Sequence, residues 1–171
     1  MDLNKLNKYK DKSEFIEDVK KRTFDTEMKY HGCGQVIVQT FLDIFEENNV
    51  PVSMASSPFA AGLALTGNNC GALIGGLMVL GLVFGRKDIE EGMEGILNGI
   101  RPMRKLVKYF EGKYENVDCR DITKTDMADP EKAAEYFETG GLKKCATMMA
   151  DVAAFVSDII YEEKEKKDQE K

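Results

Sequence analysis

Apolar residues recur along the chain at helical spacing, three and four apart, and no stretch alternates in the manner of a strand. In residues 13–30, Phe15, Ile16 and Val19 form one stripe, with Ser13 placed as cap and Glu14 and Glu17 in the first turn. His31-Gly32 interrupts that helix. The next, over residues 33–48, sets Cys33, Val36, Ile37, Thr40, Phe41, Ile44 and Phe45 on one face. Asn48-Asn49-Val50-Pro51 ends it. Residues 53–62 read as a loop and a short helix, and Gly67-Asn68-Asn69 is turn chemistry. A glycine-rich apolar helix then runs to about Gly85. Asp88 opens a fourth long helix, residues 89–114, with Pro102 predicting a kink or a break in its middle. Cys119-Arg120-Asp121-Ile122-Thr123 reads as a loop. Asp129-Pro130-Glu131 is a helix start, a cap followed by proline at the first helical position, and that helix ends at Gly140-Gly141. The last helix, residues 142–163, carries Cys145, Met148, Met149, Val152, Val156, Ile159 and Ile160 on one face. The pattern predicts an all-α fold: a single-domain helical bundle over residues 1–161, around the glycine-rich buried helix. Residues 162–171, nearly all charged, read as a disordered tail.

The glycine-rich segment is easily mistaken for a membrane span. No charged residue occurs in residues 48–85, and residues 70–85 are the most apolar part. A span takes roughly 20 apolar residues, whereas this run stops at Arg86. A buried helix is the expectation, with no membrane span. Its glycines each lower helix propensity by roughly 0.8–1 kcal/mol relative to alanine, which close backbone approach must offset. Gly71 and Gly75 share a face. A neighbouring helix inside the fold is the first candidate to fill it, with a second copy in a homodimer or a cofactor as the others.

Composition narrows the chemistry. The chain has 171 residues, with 24 basic against 30 acidic side chains, a formal net charge of −6. The acidic balance argues against nucleic acid as a partner. The N-terminus is polar with no apolar stretch behind it, so a cytoplasmic location with reduced thiols is expected. One histidine, His31, and four cysteines leave no Ser/His/Asp set, no two-histidine metal site and no haem-attachment motif.

The cysteines lie 37, 49 and 26 residues apart, so no C-x-x-C is present and any joint site must be assembled by the fold. Cys33 and Cys70 fall at predicted helix starts beside glycine, where free amides and the helix dipole favour a thiolate. Cys119, beside Arg120, is expected to share that character, whereas Cys145 sits on the apolar stripe of the last helix. On the residues alone, buried core thiols, a joint metal or cluster site, and thiol–disulfide chemistry between Cys33 and Cys70 all stay open.

The segment Cys70-Gly71-Ala72-Leu73-Ile74-Gly75, with Cys33 in Tyr30-His31-Gly32-Cys33-Gly34, Cys119 in Cys119-Arg120-Asp121-Ile122 and Cys145 in the final helix, resembles the redox-active protein family named for its C…GCAxxG…C…C pattern. Gly34 stands where alanine is more usual, and Asn68-Asn69 replaces the more typical lead into Cys70. The family is similar to the helical, non-haem part of split-Soret cytochromes, which is associated with an iron–sulfur centre. The resemblance thus implies that Cys33, Cys70, Cys119 and Cys145 bind an iron–sulfur cluster or, in its place, a metal, with Gly71 and Gly75 lining the site. It implies electron transfer with a redox partner protein, no haem, and a cytoplasmic protein of the anaerobic type. Cluster-free redox chemistry at Cys33 and Cys70, and a structural protein dimerising through the glycine-rich helix, are the alternatives.

Overall fold

The computed structural model describes residues 1–170, and these form helices and connecting turns with no strand among them. Eight α-helices follow a short 3-10 turn at Leu3–Lys8. The first, α1 (Lys12–Tyr30), is capped by Asp11, whose carboxylate accepts from the Glu14 amide at 2.9 Å. The cap is therefore not Ser13. An aspartate both satisfies a free amide and sets negative charge at the positive helix end, so the helix starts before the serine.

α2 (Cys33–Ile44) buries the face read from the sequence but stops short of Asn48. Glu46 adopts a left-handed conformation, φ 57°, and the Glu47 amide donates to the Leu42 carbonyl at 2.9 Å, which closes the helix end. α3 (Val50–Ser56) and a 3-10 turn follow, then α4 (Gly71–Phe84), the glycine-rich helix, which packs against α2, α5 (Gly92–Tyr114) and α8 (Gly141–Gln169). Its glycines are used inside the fold. A Cβ at Gly71 would collide with the Phe59 carbonyl oxygen and lie 2.9 Å from the Cys33 Cβ. One at Gly75 would lie 2.7 Å from the Gly34 carbonyl oxygen, and one at Gly76 would lie 2.8 Å from Leu106. The Gly71/Gly75 face is thus filled by α2.

α5 continues through Pro102 as one helix rather than breaking there. α6 (Cys119–Thr123) is a single turn where a loop was expected, and α7 (Pro130–Glu138) starts at the predicted Asp129 cap. α8 packs along the length of α1 and runs well past the expected end, through the charged segment to Gln169. Charges four apart support the extension: Lys164–Asp168 at 2.7 Å and Lys167–Glu163 at 3.4 Å, with Lys164 also over the Tyr161 ring. The core is filled by Phe15, Phe41, Phe45, Phe110, Leu80, Leu106, Met149 and Ile160. Among the described residues no helix is long and apolar enough to cross a membrane.

Candidate functional site

The four cysteines come from four helix beginnings. Cys33 opens α2, Cys70 caps α4, Cys119 opens α6, and Cys145 lies in the second turn of α8. Two backbone devices bring their segments together. The first pairs the approach to α4 with the approach to α6. The Cys70 amide donates to Val117 (2.7 Å), that of Cys119 to Asn68 (2.7 Å) and that of Arg120 to Gly67 (2.9 Å). Asn69 and Asp118 are bridged through both backbone and side chains, the latter at 2.8 Å. The second is the α2–α4 crossing, where the missing side chain of Gly71 lets Cys33 sit against the helix start.

A third device closes over Cys33. Ala61, Gly62, Leu63, Ala64 and Leu65 are all left-handed, with φ of 46°, 74°, 60°, 53° and 66°. Four of the five are not glycine, at roughly 1–2 kcal/mol of strain each. The turn is held by Ala64 donating to Pro58 (2.6 Å), Gly67 to Ala61 (3.2 Å) and Asn68 to Gly62 (3.0 Å). It sets the Ala61 amide toward the Cys33 sulfur, which favours the anionic form of that thiol. Only Gly62 in Ala61-Gly62-Leu63-Ala64-Leu65 signals left-handed backbone; the alanines and leucines around it carry no such signal.

Each sulfur has polar donors beside it. The free Ala72 and Leu73 amides at the start of α4 act on Cys70, although no hydrogen bond of ordinary geometry caps the helix. The Thr123 hydroxyl stands by Cys119, and the Tyr136 hydroxyl lies 3.5 Å from the Cys145 sulfur. Tyr136 belongs to α7, which packs against α8 with only Ala133 and Tyr136 half-buried, and which is tied to the α1–α2 corner by a Phe137–His31 stack.

Burial nevertheless outweighs these donors. Cys33 and Cys145 are half-buried, Cys70 and Cys119 buried. Desolvation raises all four thiols above their ordinary range: Cys70 to about 12, Cys119 to about 11, Cys33 well upward and Cys145 in the same direction. The expectation of acidic thiolates at Cys33, Cys70 and Cys119 is thereby corrected. The dipole end and free amides are present, but loss of water is the larger effect. Arg120 does not help Cys119, because its guanidinium turns away to the Thr66 carbonyl (3.1 Å) and Asp126 (3.3 Å). The thiols also feel one another. Ionisation at Cys70 or Cys145 disfavours that at Cys33, Cys119 and Cys145 act on Cys70, and Cys145 acts on Cys119.

Among the described residues, all four cysteines are free, and no three His, Cys, Asp or Glu side chains converge where one metal ion can sit. A single-ion site is therefore not preformed. A cluster sets less convergence, since its thiolates bind different irons and stand apart.

Sequence reasoning missed Thr123 and Tyr136 beside the sulfurs, and also Glu27. Glu27 lies on the buried stripe Phe15, Val19, Thr23, Glu27, four residues apart, and that spacing was the available signal. Only 3% exposed, it raises the thiol pKa of both Cys33 and Cys145.

A helical domain with four free cysteines, two buried and two half-buried, at or near helix starts belongs to a class defined by its cysteines, and the comparison with protein families agrees. The family described as "Putative redox-active protein (C_GCAxxG_C_C)" matches residues 31–159, and the chain belongs to it. The match takes in all four cysteines and leaves out α1. No curated protein and no solved structure matches the chain.

Proposed function

We propose that Cys33, Cys70, Cys119 and Cys145 hold an iron–sulfur cluster as thiolates and that the chain transfers electrons. The observation that carries this reading is a mismatch at the sulfurs. Amides and hydroxyls are disposed to stabilise negative sulfur, at Cys33, Cys70, Cys119 and Cys145 alike, yet burial keeps the thiols neutral. A bound cationic group removes that mismatch, and soft thiolates from separate helices suit iron–sulfur chemistry. When bound, the cluster supplies one-electron exchange. The chain's own groups do the rest. Ala61, Ala72 and Leu73 amides and the Tyr136 hydroxyl hold negative charge on sulfur, the conditions that tune a cluster's potential. Buried Cys70 and Cys119 line the dry side, while half-buried Cys33 and Cys145 lie nearest the surface, the side for a redox partner protein.

Purification without oxygen, followed by iron and sulfide analysis, tests the reading. The expected result is brown protein with near-equal iron and acid-labile sulfide and an absorption band that bleaches on reduction. Colourless protein without iron or sulfide, even after anaerobic reconstitution, overturns it.

A further inference from the structure

The start of α5 carries an apolar face that no described residue covers. Ile89, Met93, Ile96 and Leu97 are 77%, 67%, 38% and 56% exposed, four large apolar side chains within nine residues. Single exposed leucines need no explanation, but a contiguous group marks a contact surface. The glycines of this segment fix which way it points. A Cβ at Gly99 would collide with the Phe84 carbonyl oxygen, and one at Gly95 would lie 3.0 Å from the Arg86 Cβ, so the Gly95/Gly99 side packs on the end of α4. Both glycines are buried. Met93, Leu97 and Ile100, at offsets 0, 4 and 7, fall on the opposite side of the helix and form a stripe directed away from α4.

Charge along the same stretch identifies the occupant. Glu94 and Arg101 are exposed and lie seven residues apart on one flank of the stripe, and neither has an ion-pair partner among the described residues. Met93 and Ile100 are also seven apart, and Leu97 lies between the members of both pairs. A second α5 laid antiparallel across Leu97 therefore sets Met93 on Ile100 and Glu94 against Arg101, and two-fold symmetry repeats each contact. Laid parallel, the same helices would level glutamate with glutamate and arginine with arginine, which disfavours that pairing. We propose that two copies of this chain associate through the Met93/Leu97/Ile100 face of α5, antiparallel about a two-fold axis at Leu97, with two Glu94–Arg101 pairs across it. This surface is distinct from the Gly71/Gly75 face of α4, which α2 fills, and it does not depend on what the cysteines hold. The contact is small beside a standard interface of roughly 800 Å² per partner, so a reversible dimer with micromolar dissociation is expected.

Sedimentation velocity on the full chain across a concentration series, with a reductant to exclude disulfide cross-links, tests the pairing. Wild type is expected to move from one chain, 19.2 kDa, toward twice that mass as concentration rises to about 100 µM. Leu97→Glu should stay a single chain with an unchanged melting temperature, since Leu97 is already more than half exposed. Glu94→Arg and Arg101→Glu each set like charges across the axis and are expected to raise the dissociation constant at least about tenfold. The double variant Glu94→Arg/Arg101→Glu rebuilds both pairs with the charges exchanged, so its dissociation constant should return to within about threefold of wild type. Damage to the fold by either change would not recover in this way. Wild type that stays a single chain at about 100 µM overturns the proposal, and binding of that monomer to anionic phospholipid vesicles would assign the face to a membrane instead. A dimer that survives Leu97→Glu and both charge reversals overturns it as well, because its contact lies elsewhere. Loss in both single variants without recovery in the double variant overturns the antiparallel register.

Discussion

The thiols are the residues on which the chemistry turns, and their raised pKa values set what they do without metal. An ordinary cysteine titrates near 8.5, so a thiol held at about 11, as at Cys119, or about 12, as at Cys70, is almost wholly protonated at pH 8. Alkylation of native apoprotein, followed residue by residue by mass spectrometry, is expected to rise about tenfold per pH unit from pH 8 to 10 at both positions. A plateau near pH 9 would show thiolates that the structure does not have. The sign for stability follows. Over that window the folded chain keeps protons that the unfolded chain has shed, so the apoprotein loses stability as pH rises above about 8.5. Two of these thiols were legible in the sequence as helix-start residues, and that placement is correct. The raised pKa values were not legible, because desolvation depends on how the fold buries the helix starts.

Among the elements, α4 shows how one residue type serves opposite ends. Gly71 has the Phe59 carbonyl oxygen and the Cys33 Cβ against it, backbone and a helix start that cannot withdraw, whereas at Gly81 nothing lies within 4 Å. Gly71→Ala is therefore expected to destabilise the fold by about 1–3 kcal/mol, as overpacking does. Gly81→Ala should add up to about 1 kcal/mol from helix propensity. Urea unfolding of the two variants measures both, and equal effects would refute the crossing described for α2 and α4. Helical periodicity made the long elements readable, α2 and α8 above all, together with the Asp129 cap of α7. It failed where an element has too few residues to show a period, as in α6, or has no apolar face, as in the end of α8, where Lys164–Asp168 and Lys167–Glu163 hold the helix. Beyond Gly62, the left-handed turn was not legible for a different reason: the amides of Ala64, Gly67 and Asn68, donating to Pro58, Ala61 and Gly62, close it, and those pairings appear only in the fold.

For the whole molecule, the proposed donors on α2, α6 and α8 and at the cap of α4 would make metal binding a property of the assembled bundle. Iron-loaded protein is expected to melt higher than apoprotein, since a ligand that binds only the folded state stabilises it. Calorimetry should show that difference shrink in Cys70→Ser and Cys119→Ser. An unchanged gap would mean that the metal sits elsewhere. The pairing of Gly67–Asn68 and Cys70 with Val117 and Cys119–Arg120 joins chain positions about fifty residues apart, and such distant closures form late and slowly. During synthesis, the backbone partner of Cys70 emerges only with Val117, and Cys145 follows later still. A nascent chain thus presents Cys33 and Cys70 before their partners on α6 and α8 exist, and the neighbourhood of Cys70 is completed only when residues 117–120 have been made.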